Sequence, residues 1–254
     1  MSIYLTGTLW VIGAAALGAL IAYLVRRLGG AEGREANNGA AGQAFTIVGG
    51  LHAVLVAFVL ISQFDLVSHA QDSSYLEADS LVAATWAADS LPEPTKTRMR
   101  EMSRAYTVTV AEQEWPKMRE GETPADTGWT QLDKMRQLIA QTEVGDNGWQ
   151  VDRKSEAANQ LWQVYQARQA RLTAASDGDV EGVVWFALIF GTLISVLLVN
   201  LFGGTQLRAH IVIVSILAGT ITLLLFAIYQ LQNPFGGGAR VEPDAFTAAL
   251  VRLA

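Results

Sequence analysis

His52 is the single ionisable side chain in the uncharged run Ala44–Phe64, AFTIVGGLHAVLVAFVLISQF. A charge stranded in lipid is costly, so an imidazole there points to a pore lining or a pH sensor, or else to a neutral ring hydrogen-bonded to a neighbouring helix. Phe58, Ile61 and Phe64, with Val54 and Leu55, follow on the same run. In an oligomer they are candidates for an apolar constriction that gates by dewetting; the alternative is ordinary lipid or helix contact. Ser62 and Gln63 are placed to lend hydrogen bonds to a passing ion or to sit at the membrane interface. Beyond the run come three carboxylates, Asp72, Glu77 and Asp79. They ring a vestibule if their helix faces a symmetry axis, and form a solvated face if it does not. Near the end of the chain stand Gln230 and Asn233-Pro234-Phe235-Gly236. The proline halts the preceding helix, the asparagine can accept backbone N–H groups in a turn, and Phe235 can anchor the tail. This turn is either a gate or ligand clasp, or a purely structural corner.

Catalytic chemistry finds no comparable footing. Glu112, Glu114 and Glu120 are close in sequence, but Pro116 is expected to break the helix among them and no His or Cys stands nearby. The chain has no cysteine, which excludes disulfides and thiolate metal sites. Its 3 histidines, His52, His69 and His210, lie in separate segments without a H-x-x-x-H pair. There is no nucleotide loop and no nucleophile motif. No enzyme activity, cofactor or metal site is assigned. With 18 basic against 24 acidic residues, and no basic stripe, nucleic acid is excluded as a partner.

The elements that must position these residues are helices. Of 254 residues 51% are hydrophobic and 17% charged, and the mean hydropathy is +0.26. A soluble domain carries about 25% charged residues, so the deficit points to a lipid bilayer. Four runs are long enough to span: Ile3–Val25, Ala44–Phe64, Val180–Phe202 and Ile211–Leu231. No lysine or arginine precedes the first, and Arg26-Arg27 follow it, the reverse of a signal peptide's charge order; it reads as an uncleaved anchor. Gly29–Gln43 reads as a polar loop and Gly203–His210 as a tight one. No Gly or Pro interrupts the chain from the second run to Pro92, so one helix is expected from Ala44 to Leu91, about 70 Å at 1.5 Å per residue.

Residues 65–179 are polar. They predict a helix over Thr95–Met118 with Met99, Met102, Tyr106, Val110 and Gln113 on one face. A loop follows at Glu122–Gly128, then a short helix carrying Trp129, Leu132, Met135 and Ile139. Gly145–Gly148 breaks it. A fourth helix begins near Val151, with Leu161, Tyr165, Arg168 and Leu172 as a packing seam suited to coiled-coil-like contact with the long helix. Asp177-Gly178-Asp179 interrupts or bends it. The small residues Gly191, Thr192, Ser195, Gly219 and Thr220 suit close helix packing in the membrane, and Asn200 an interfacial place. The tail ends in an amphipathic segment, Ala245–Leu253. The fold class is therefore all-α: a polytopic membrane protein with four transmembrane helices and an extramembrane helical bundle inserted between spans two and three. The expected divisions are 1–64, 65–179, 180–232 and 233–254. The arginines Arg26, Arg27, Arg34 and Arg208 crowd the two short loops and place those loops in the cytoplasm, with the helical domain on the extracytoplasmic side.

The segment Gln230-Leu231-Gln232-Asn233-Pro234-Phe235-Gly236 resembles the one that follows the fourth span of bestrophins, the pentameric anion channels. More of the chain resembles the bacterial bestrophin-like family. Glu77-Ala78, Leu91-Pro92, Tyr106, Glu114-Trp115-Pro116 with Met118, Arg168 with Arg171-Leu172, Trp185, Pro234-Phe235-Gly236, Val241-Glu242-Pro243 and Phe246 carry that likeness in order. It implies a homo-oligomer, a pentamer, in a bacterial inner membrane, passing small inorganic ions, anions among them, through a pore lined by the second span. Calcium-binding bestrophins follow this turn with a row of acidic residues. Here Gly237, Gly238, Ala239 and Arg240 take their place, and six to eight oxygen ligands are not at hand. The alternative function is a non-conducting, membrane-anchored sensor or interaction protein acting through its helical domain.

Overall fold

The computed structural model describes residues 2–28, 38–176, 178, 180–203 and 206–254. Among them there are helices and turns and no strand. The helices are α1 (Ile3–Leu28), α2 (Asn38–Ala88), α3 (Thr95–Val108), a π-helical stretch (Thr109–Glu114), α4 (Trp115–Arg119), α5 (Thr127–Gln141), α6 (Gly148–Ser176), α7 (Gly182–Val199), α8 (Leu207–Leu231) and α9 (Asp244–Arg252). The expected loop Gly29–Gln43 is helical from Asn38 onward, and residues 29–37 lie outside the described residues. So do Asp177 and Asp179, which bear on the expected interruption after α6, and two residues of the tight loop before α8.

The chain divides into two compact units, Met1–Phe64 with Val180–Gln232, and Asp65–Asp179 with Asn233–Ala254. The first holds α1, the first part of α2, α7 and α8. Four helices, α1, α2, α7 and α8, are long and apolar enough to cross a membrane by length and composition. Within their most apolar windows only 11 to 22% of residues are buried. Side chains such as Trp10, Phe58, Phe186 and Ile216 point outward. Apolar surface on that scale is unfavourable in water, and lipid is the solvent in which it is stable. Small residues bring α1 and α8 together: Gly18 lies so close to Ala218 and the Val214 carbonyl that a Cβ would press on both. Val56, Leu188 and Ile228 tie α2, α7 and α8.

In the second unit, α2 buries Ala70, Ser74, Glu77, Leu81, Ala84 and Ala88. These positions recur at alternating steps of four and three, the spacing of a helix that keeps one face against its neighbours. Small residues hold most of them, so the other helices approach closely. Tyr106, Met99, Met135, Ile139, Leu161 and Val164 complete the core.

Two local expectations are corrected. Pro116 does not break the helix. Its ring has no N–H and crowds the preceding turn. The chain absorbs this with a wider turn, in which the Trp115 N–H bonds to the Val110 carbonyl five residues back. The extra residue moves the inward face by one position, so Glu114 is buried and Gln113 exposed. On α6, Tyr165 is exposed, and the buried stripe runs through Leu161, Val164, Arg168 and Arg171. Leu172 is only half-buried, because the two arginines take the inner places.

Candidate functional site

Four charges and a phenol are sealed inside the second unit. Arg168 and Arg171 are three residues apart on α6, hence on one face. Glu77 comes from α2, Glu114 from the π-helical stretch and Tyr106 from α3. Arg168, Arg171, Glu77 and Tyr106 are 0% exposed and Glu114 is 3% exposed. Arg168 grips Glu114 with both Nη atoms, at 2.9 and 2.7 Å. Arg171 grips Glu77 through Nε at 2.7 Å and Nη2 at 3.0 Å. Its Nη2 also reaches Glu114 Oε2 at 3.1 Å, which joins the two pairs. Tyr106 donates to Glu77 Oε1 at 2.5 Å and accepts from Arg168 Nη1 at 3.2 Å. Two cations meet two anions, so the cluster is neutral.

Aromatic rings cover the arginines. Arg168 lies 4.7 Å from the Trp129 ring centre, and Arg171 lies 5.6 Å from that of Trp115 and 5.5 Å from that of Phe246. Guanidinium on an aromatic face is an attraction that burial strengthens. Gly128 fits under the Arg168–Glu114 pair, where a Cβ would collide with both. Burial alone would raise the Glu114 carboxyl, but the Arg168 hydrogen bonds and the Arg171 charge outweigh it and hold it below its ordinary value. Burial likewise opposes the charge on Arg171, yet Glu77 and then Glu114 keep it above the usual range. For Tyr106, burial and the neighbouring Glu77 charge act together and push the phenol well up. Every carboxylate oxygen is engaged and no nucleophile adjoins, so the cluster is suited to locking four segments together. Among the described residues no group of three or more His, Cys, Asp or Glu could hold a metal ion.

Glu77 thus stands apart from the surface row expected with Asp72 and Asp79. Asp72 and Asp79 are exposed, and Asp79 pairs with Arg252 of α9 at 2.7 Å. Glu77 occupies the inward stripe of α2 and cannot face a water-filled vestibule in this state.

The membrane-length part of α2 also separates its candidates. Phe58, Ile61, Ser62 and Phe64 are exposed. With Leu51 and Val54, Phe58, Ile61 and Phe64 form an apolar stripe that their own chain leaves uncovered. His52 and Gln63 lie on the other side, each 7% exposed. His52 Nε2 is 3.2 Å from Thr192 Oγ1 of α7, and its ring fills the space left by Gly191.

At the tail, Asn233 spends its whole amide on the turn. Its Oδ1 accepts from the N–H groups of Phe235 and Gly236, both at 2.9 Å. Its Nδ2 donates to the carbonyls of Met118 at 3.1 Å and Arg119 at 3.3 Å. Pro234 and Phe235 are buried, and Phe235 meets Trp115 edge-on at 5.2 Å. Trp115 Nε1 donates to the Val241 carbonyl at 3.1 Å. Glu242 is taken by Arg119 and Arg240. The side-chain oxygens of Asn233 and Glu242 are therefore already engaged within the turn. Gln230, at the end of α8, is half-buried and belongs to the first unit.

Sequence reasoning did not assign a site role to Arg168, Arg171, Glu114 or Tyr106. The available signal was charge in an otherwise apolar stripe: Arg168 within the α6 seam and Glu77 within the small-residue seam of α2. Neither a curated protein nor a solved structure matches the chain. The family model described as the bestrophin-like domain matches residues 12–246. That span takes in the greater part of α1, the other three membrane-length helices, the charge cluster and the turn at Asn233, and the chain belongs to the bestrophin-like family.

Proposed function

We propose that the protein is a homo-oligomeric ion channel of the bacterial inner membrane, conducting anions, with its pore lined by α2. The observation that carries this reading is the uncovered stripe of α2. Leu51, Val54, Phe58 and Ile61 are 68, 53, 68 and 56% exposed, respectively, along a stretch without a charge. Brought together around an axis, copies of this stripe form an apolar constriction that holds back ions until it wets. The bestrophin relationship supports the channel class, the oligomer and the anion conduction. The second unit then lies outside the bilayer, on the extracytoplasmic side by the arginine distribution, and its buried charge cluster keeps it rigid. Asp72 and Asp79 are the acidic residues left to colour the water-filled approach.

The test is the mass of the detergent-solubilised complex, followed by planar-bilayer recording. A ring of four or more subunits with chloride current supports the reading. A monomer or dimer overturns it.

A second reading, a non-conducting interaction protein, is favoured by one surface feature. Trp129, Trp162 and Tyr165 line a groove of about 700 Å³ between α5 and α6, with Asp133 and Arg136 at hand. Trp162 and Tyr165 stack at 5.0 Å. Open aromatic surface of this kind suits a partner. A sealed monomer that captures a partner through this groove would decide for it.

A further inference from the structure

The hydrogen bonds around Thr192 fix the proton on His52. Thr192 has one hydroxyl proton, and it is spent on the Leu188 carbonyl at 2.7 Å, one turn back on α7. Toward His52 Nε2, at 3.2 Å, the threonine oxygen can therefore only accept. Nε2 carries the hydrogen, and in the neutral ring Nδ1 is a bare lone pair. That atom is buried and has no hydrogen-bond partner. It lies against Gly191, the one residue type that leaves room for it. One turn further along the same face of α7, Ser195 Oγ is also buried and without a partner. Polar atoms left unmatched in a segment of this apolarity are costly.

Among the described residues of α2, α7 and α8, no counter-charge faces the ring. From Gly182 to Val199, α7 has no titratable residue, and His52 is the only one on α2 between Ala44 and Phe64. On α8, which packs on both through Ile228, the titratable residues are near the ends. Arg208 and Tyr229 are exposed there, and His210 bonds to Asn200.

We propose that His52 Nδ1 is a proton-binding site set into the seam between α2 and α7, and that its occupancy controls how closely the two helices fit. Neutral, the ring seals the seam through Nε2–H and Thr192. Protonated, it places an unbalanced imidazolium between two uncharged helices. Water or an anion must then enter, and the seam opens. The regulatory half rests on the channel reading; the site does not.

Histidine-labelled protein in lipid vesicles tests the site by solid-state nitrogen NMR, the His52 signal being the one lost in His52→Gln. At neutral pH it should report the Nε2–H tautomer. Stepwise acidification from neutral pH should convert it to imidazolium. Thr192→Val should release the tautomer preference. An Nδ1–H tautomer at neutral pH, or a signal unmoved by acid, overturns the site. Bilayer recording tests the consequence: wild-type current should change several-fold across this pH range and His52→Gln current should not. An identical pH response in both overturns the regulatory role. Absence of current in either protein at any pH, with the NMR titration intact, counts against the channel reading and leaves the proton site standing.

Discussion

Arg171 holds Glu77 by two parallel hydrogen bonds, Nε to Oε2 at 2.7 Å and Nη2 to Oε1 at 3.0 Å, with both side chains fully buried. The two residues are 94 positions apart, so the pair fastens α6 to α2. Removing one member leaves an uncompensated charge in the core, at a cost of about 3–5 kcal/mol. Arg171→Met and Glu77→Leu should each lower the melting temperature strongly. The double variant should recover part of the loss, because it leaves no charge of this pair behind. Near-ultraviolet circular dichroism in detergent follows the transition; equal losses in the double and single variants would contradict the pairing.

The pH dependence of stability has a defined sign at both ends. Glu114 has a depressed folded-state pKa. Its contribution is complete above the ordinary carboxylate value of about 4.3 and is lost as pH falls through the lowered one. Tyr106 has a raised folded-state pKa. Its contribution is complete below about pH 10 and is lost as pH rises from there through the raised value. Melting temperature against pH should fall at both extremes. Glu114→Gln should flatten the acid limb and Tyr106→Phe the alkaline one.

The tail turn should be insensitive to calcium. The Asn233 amide already makes four hydrogen bonds, and Glu242 is held by two arginines. Millimolar calcium or a chelator should leave the melting temperature unchanged. Phe235→Ala should lower stability by about 3–5 kcal/mol through the lost ring and the cavity beside Trp115.

If the exposed stripe of α2 lines a pore, Phe58→Ala or Phe64→Ala should raise basal conductance several-fold. Leu9→Ala and Leu17→Ala on α1, equally exposed, should not. Matching responses in the two sets would remove α2 from the pore.

The helices were legible because their signals are local. Long uncharged runs give the four membrane-length helices, and the absence of Gly and Pro from Leu51 to Leu91 gives an α2 without a break. The charge cluster was not legible, for a physical reason. Glu77, Glu114, Arg168 and Arg171 meet only through tertiary packing, and the place of Arg168 in the α6 seam does not say which charges it meets. Glu114 was further hidden by the π-helical stretch, since regular periodicity assigns the inward place to Gln113. His52 could be named from sequence, but whether it faced the open stripe or α7 depended on where Gly191 leaves space.

The wide turn at Thr109–Glu114 behaves as a phase shift of one residue written into an otherwise regular helix. Deleting one residue between Thr109 and Gln113 would remove that shift. Everything upstream, Tyr106 included, would then rotate by about 100° relative to Glu114 and Trp115. Such a variant keeps the composition, the hydrophobicity and nearly the whole sequence, yet it cannot present the phenol and the carboxylate to the two arginines together. A reading frame of side chains, rather than any one side chain, is what that turn protects.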